Sequence, residues 1–190
     1  MSLRANLRWL GVLTLLGVPL PSIVVLYFFE KQSLAQIFQS DNIQAINLLL
    51  GLATGILCAI LIYWATRHPV FKNLPLKVEE MILEAGLKPV DAVFLSFAAG
   101  FGEELLFRTG VQYYLGVIPT SIVFVAIHGY FSIKNPKMSL YGLLVLPFIL
   151  ILGFGFIHFG LWFSIAAHFS YDLLLFLLII YRSRDHEFEF

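Results

Sequence analysis

Long apolar runs, cut by short charged or turn-rich segments, set the pattern of this chain. A run of about 18–25 apolar residues is the length a helix needs to cross a bilayer. On that basis the sequence predicts six spans, at roughly residues 9–29, 45–65, 90–115, 119–131, 140–157 and 161–181. The fourth is too short to cross alone. It must end in a protein-lined region, because backbone leaves a helix at that depth only where protein or trapped water satisfies it. Pro19 and Pro21 are expected to bend the first span. The expected fold is therefore all-α: a polytopic transmembrane helical bundle in a single membrane-embedded domain over residues 1–190, with its chemistry-bearing core at about 90–181.

Basic residues orient the bundle. With both termini on one side, that side receives Arg4, Arg8, Arg67, Lys72, Lys77, Lys88, Lys134, Lys137, Arg182 and Arg184, and the other receives Lys31. Positive charge collects on the cytoplasmic side of membrane proteins, so both termini are expected there. Arg4 and Arg8 before an apolar run also fit a signal peptide. However, no small-residue cleavage site follows and the run continues to Phe29, so an uncleaved anchor is the expectation. Residues 76–88 place Leu76, Met81, Leu83 and Leu87 among Lys77, Glu79, Glu80 and Glu84, which reads either as an amphipathic helix on the membrane surface or as a polar connector.

Composition sharpens this reading at two points. Of the 190 residues, 59% are hydrophobic and 13% charged, against about 25% charged in a typical soluble domain. The formal net charge of zero argues against electrostatic binding of nucleic acid. The lone cysteine, Cys58, has no internal disulfide partner and reads as packing.

Against so apolar a background, ionisable residues inside spans stand out. They cost several kcal/mol each and mark a functional site or a buried pair. Glu103, Glu104 and Arg108 fall in the third span, His128 in the fourth, and His168 and Asp172 in the sixth. Glu104 and Arg108 are four apart, with the glutamate on the favourable N-terminal side, and form a structural ion pair. His168 and Asp172 are likewise four apart on one face. Glu103 points about 100° away from Glu104 and is left for another partner. At 1.5 Å per residue, Glu103 lies about 20 Å below the turn at Gly116 and His128 about 14 Å below Pro119. His168 and Asp172 lie about 12 and 18 Å below Gly160. All four share one layer of the membrane. His68, His158 and His186 fall in loops or at interfaces and read as non-catalytic.

Two histidines and a free carboxylate suit general acid–base chemistry on water. Glu103 and His128 are expected to hold and deprotonate a water that attacks a peptide carbonyl. His168 and Asp172 would stabilise the oxyanion, the aspartate either by donating when protonated or by orienting His168. Glu103, His128 and His168 also match a catalytic zinc ligand set. The sequence is compatible with a zinc-dependent and with a metal-free reaction.

The order of these groups resembles a known family. Glu103-Glu104-Leu-Leu-Phe-Arg108 matches the Glu-Glu-x-x-x-Arg motif of the CPBP family of CAAX proteases and bacteriocin-processing enzymes. Phe124-Val-Ala-Ile-His128 is similar to its Phe-x-x-x-His motif, and His168-Phe-Ser-Tyr-Asp172 to its His-x-x-x-Asn, with aspartate in place of the commoner asparagine. The likeness covers roughly residues 92–178. It implies an intramembrane endopeptidase of the glutamate or metallo type, with Glu103, His128 and His168 catalytic. Asp172 departs from the pattern and bears on the oxyanion role. Expected partners are membrane lipid and a peptide or protein substrate such as a sorting tail, a leader peptide or a lipidated C-terminus. The compact loops suggest a bacterial or archaeal cytoplasmic membrane. Rival readings are a non-catalytic bacteriocin-immunity or membrane binding protein, and a proton-coupled transporter; the absence of repeat symmetry speaks against the transporter.

Overall fold

The structure, a computed structural model, describes residues 2–40, 43–71 and 77–187, the side chains of residues 77–79 and 183–187 excepted. Lys72, Leu76 and the side chains of Lys77, Glu79, Arg184 and His186, which entered the reading above, lie outside the described residues.

All regular structure among the described residues is helical. Helix α1 (Leu3–Leu16) starts on a Ser2 cap and breaks at Gly17–Pro19 into α2 (Leu20–Val24), which widens into a π-helical turn, Val25–Phe29. The bend falls where Pro19 and Pro21 placed it: Pro19 caps α2 and Pro21 lies in its first turn, where a missing N–H costs nothing. A short helix, α3 (Leu34–Phe38), was not expected. A Ser33–Gln36 capping box starts it and Gln39, at φ 49°, stops it. This connector is tied to the head of the last helix, since Leu161 N donates to Gln39 Oε1 (2.8 Å) and Trp162 Nε1 to the Phe38 carbonyl (3.0 Å).

Helix α4 (Ala45–Ala65) coincides with the second expected span. Its buried stripe, Gly51, Gly55, Ala59 and Ile62, is nearly all small. A Cβ at Gly55 would overlap the Ala167 carbonyl and the Ser170 hydroxyl, so α4 packs backbone to backbone on the last helix. In lipid, where no hydrophobic force drives helices together, such close approach is what holds them. Ser170 Oγ adds a hydrogen bond to the Leu52 carbonyl (3.0 Å).

Helix α5 (Lys77–Glu84) confirms the helical reading of the surface segment, and its docking shows which face is covered. Ile82 and Leu87 are buried in a cluster with Ala92 and Ile180. Helix α6 (Pro89–Glu104) continues without a break through a π-helical stretch, Leu105–Val111, into α7 (Gln112–Leu115). Asp91, only 1% exposed, begins α6 by accepting from Lys88 N, and it binds Arg4 Nε (2.8 Å) and Arg8 Nε (2.6 Å), clamping α1 to α6. Gly116 at φ 79° turns the chain into α8 (Val117–Ile127), four residues shorter at its C-terminal end than expected. Helix α9 (Pro136–Phe159) runs through Pro147, and α10 (Leu161–Glu187) closes the fold. The backbone of His186 is therefore helical rather than in a loop.

Helix α10 is the axis, packed against α4, α6 and α9, with α1 outside α6 and α8 beside α9. Four stretches are long and apolar enough to cross a membrane: Leu3–Phe29, Ala45–Ala65, Pro136–Phe159 and Leu161–Arg182. Their outer faces carry exposed side chains such as Trp9, Leu13, Leu49, Leu57 and Trp64, a surface only lipid would tolerate. This is a multi-pass integral membrane protein. The other two expected spans are of a different kind. The α6–α7 rod has the length but carries Asp91, Glu103, Glu104 and Arg108, and α8 has 11 residues.

Candidate active site

Glu103 and Glu104 end α6 just where it widens into the π-helical stretch, and their side chains meet different neighbours. Glu104 is fully buried. Its Oε2 accepts from Arg108 Nε at 2.6 Å and its Oε1 from His168 Nδ1 at 2.8 Å. Arg108, also fully buried, donates through Nη1 to Gln112 Oε1 (3.1 Å), and Gln112 Nε2 donates to the Gly153 carbonyl (3.0 Å). A Cβ at residue 153 would stand 2.7 Å from Val117 and 3.0 Å from Gln112 Oε1, so glycine there lets the network pass between helices. The Glu104–Arg108 pair is present as the four-residue spacing required. What that spacing did not show is that Glu104 also holds a histidine of α10 and so joins three helices.

Glu103 faces the other histidine. Its Oε2 lies 3.5 Å from His128 Nε2, and the two side chains keep 20% and 30% of their surface exposed. His128 caps the C-terminus of α8, and its Nδ1 lies 2.7 Å from the Phe124 carbonyl. A carbonyl only accepts, so Nδ1 carries the hydrogen, and in the neutral form of the ring the lone pair of Nε2 is turned toward Glu103. The ring stacks with Phe124 (4.4 Å between centroids) and with Tyr130 (5.9 Å), and Phe124 also meets the edge of His168 at 5.9 Å. Gly129, at φ 76°, makes the turn that brings Tyr130 back beside the imidazole.

His168 is 6% exposed. With Nδ1 given to Glu104, its Nε2 faces Asp172 Oδ2 at 3.5 Å. Glu103, His128, His168 and Asp172 all line one cavity of about 1020 Å³. It runs along α10 to Arg182, about 15 Å past Asp172 by helical rise. Arg67 and His68, beyond the end of α4, stand on the same wall, and Leu7, Leu10 and Thr14 of α1 form another side. The arrangement joins an acid–base cluster to an apolar chamber that leads to a basic rim.

The residues expected from the sequence are thus brought together from three separate helices. Of the histidines set aside, His68 lies at the far end of the cavity and His158 in the last turn of α9. Cys58 packs against the main core. Zinc coordination by Glu103, His128 and His168 finds no support in the geometry. Among the described residues no three such groups stand close enough together to hold a metal ion. Tyr130 and Gln112 escaped the sequence reading. The only signal for Tyr130 was the His128-Gly129 pair before it, and Gln112 lies one helical turn after Arg108.

Residues 85–174 match the sequence profile of a family described as type II CAAX prenyl endopeptidase, Rce1-like. No curated protein and no solved structure gave a match. The matched stretch begins just before α6 and ends just past Asp172, so it contains every group of the cluster.

Proposed function

Because residues 85–174 make this chain a member of the Rce1-like CAAX endopeptidase family, and so of a peptidase family, we propose that it cleaves a peptide bond of a membrane-associated protein with a water held by Glu103 and His128. The 3.5 Å approach of Glu103 Oε2 to His128 Nε2, at the wall of the large cavity, carries this reading. A water about 2.8 Å from each would donate one hydrogen to the carboxylate and one to the imidazole. Its lone pairs would then be turned toward a carbonyl in the chamber. Glu103 takes the proton as the oxygen attacks, and passes it to the leaving amine.

The tetrahedral oxyanion needs a donor, commonly the largest single stabilising element in acyl transfer. His168 supplies it in this mechanism. Carrying protons on both nitrogens, it gives Nδ1–H to Glu104 and turns Nε2–H to the oxyanion. Asp172 then orients and balances that imidazolium, which fits a carboxylate better than a donor role does. No step is assigned to a metal.

The basic rim at Arg67 and Arg182 supports a cytoplasmic position for that end of the bundle. In this reading the α6–α7 rod and the short α8 complete six membrane segments with both termini in the cytoplasm. Substrate reaches the site from that side, and the apolar chamber suits a lipidated C-terminus, a leader peptide or a sorting tail. The test is hydrolysis of a peptide panel of these three kinds by the full chain in proteoliposomes. Glu103→Gln is expected to abolish cleavage while the protein stays inserted and folded. Turnover surviving that substitution would remove the mechanism.

A further inference from the structure

A second, smaller cavity lies at the end of the bundle opposite the basic rim. Its volume is about 180 Å³, and Gln32, Gln36, Gln39, Arg108, Thr109 and Gln112 supply its polar lining. Arg108 lines it and is fully buried, yet among the described residues one guanidinium nitrogen, Nη2, has no hydrogen-bond partner. Nε is spent on Glu104 and Nη1 on Gln112. A buried, unpartnered charged donor costs more than a neutral one, so a group to meet it is expected.

The lining indicates what that group is. Gln36 Oε1 accepts from Ser33 N and Oγ, and Gln39 Oε1 accepts from Leu161 N, and among the described residues the NH₂ ends of both glutamines have no protein partner. Gln112 is committed at both ends, and the Thr109 hydroxyl donates to the Leu105 carbonyl. Glu30, a carboxylate of the same connector, is held by the Tyr113 and Tyr114 hydroxyls. Amide-bearing side chains and a guanidinium therefore line one small space.

We infer that this cavity binds a small monovalent anion against Arg108 Nη2, with the Gln36 and Gln39 amides completing its shell. Such an anion braces Arg108, and through Arg108 the Glu104–His168 contact, from the side away from substrate. The inference is independent of the peptidase reading, because its test measures binding and not turnover.

Bromide is the probe. Crystals of the full chain grown in sodium bromide should show an anomalous peak within hydrogen-bond distance of Arg108 Nη2. In detergent, replacing gluconate by bromide at constant ionic strength should raise the unfolding temperature. Gln36→Glu keeps the acceptor that caps α3, so the connector stays folded, but it replaces an amide donor with a negative charge. That variant should lose both the peak and the bromide-dependent shift. Water alone at Nη2, or an equal shift in Gln36→Glu, overturns the inference.

Discussion

Glu103 and Glu104 are neighbours in sequence, yet they belong to regions built on opposite rules. Both oxygens of Glu104 are spoken for: Arg108 and His168 bind them, and Arg108 continues through Gln112 to the Gly153 carbonyl in a chain of hydrogen bonds with almost no access to solvent. Around Glu103 the couple to His128 is longer, part exposed and open to the large cavity. A group whose bonding capacity is fully used is held in place but has nothing left for a substrate. One with capacity to spare can take a proton, provided something rigid stands behind it. The turn of about 100° between successive residues of a helix lets the two arrangements sit one residue apart.

Substitutions that treat the two regions alike should separate them. The largest effect is expected on the closed side. Arg108→Ala or Glu104→Gln leaves a buried group uncompensated, at a cost of about 3–5 kcal/mol. Folded yield and unfolding temperature should both fall, and normal values in both variants would contradict the distinction. On the open side, His128→Gln should lower cleavage by about 10²–10⁴-fold while the unfolding temperature stays near that of the parent. A fall in stability as deep as that of Arg108→Ala would show His128 to be scaffold.

A subtler probe acts on α10, which carries His168 and Asp172 for both regions. Gly55→Val puts side-chain atoms where the Ala167 carbonyl lies, so α4 and α10 must part, at the upper end of an overpacking cost of about 1–3 kcal/mol or beyond it. Denaturation should register it, with a partial loss of cleavage. The smallest effect is expected from Asp172→Asn. The amide keeps an oxygen toward His168 Nε2 and gives up only the charge, so activity should stay within about tenfold, or 1.4 kcal/mol in the barrier. Complete loss would make the carboxylate itself a participant in catalysis.

Much of this arrangement was legible along the chain. Helical spacing gave Glu104–Arg108 and His168–Asp172, and rise per residue put Glu103 and His128 at one depth, because both follow from the geometry of a single helix. The limits of α4 followed from apolar length. By contrast, the clamp of Asp91 on Arg4 and Arg8 was not legible. Asp91 reads as one charge at the edge of an apolar run, and its partners are more than eighty residues away. The bond from His168 to Glu104 was hidden for the same reason. Spacing within α6 assigns Glu104 to Arg108 and says nothing about which face α10 presents.

The sequence by itself determined that the chain is helical and membrane-embedded, and which ionisable side chains stand in costly places. These are consequences of composition and of the repeat of one helix. Tertiary structure alone decided how the two carboxylates divide their work, which histidine each meets, and that a chamber leads from them to Arg67 and Arg182. Those outcomes depend on how helices rotate and approach one another. Backbone contacts such as Gly55 on Ala167 and hydrogen bonds such as Gln112 to Gly153 set that packing, between residues no local pattern connects.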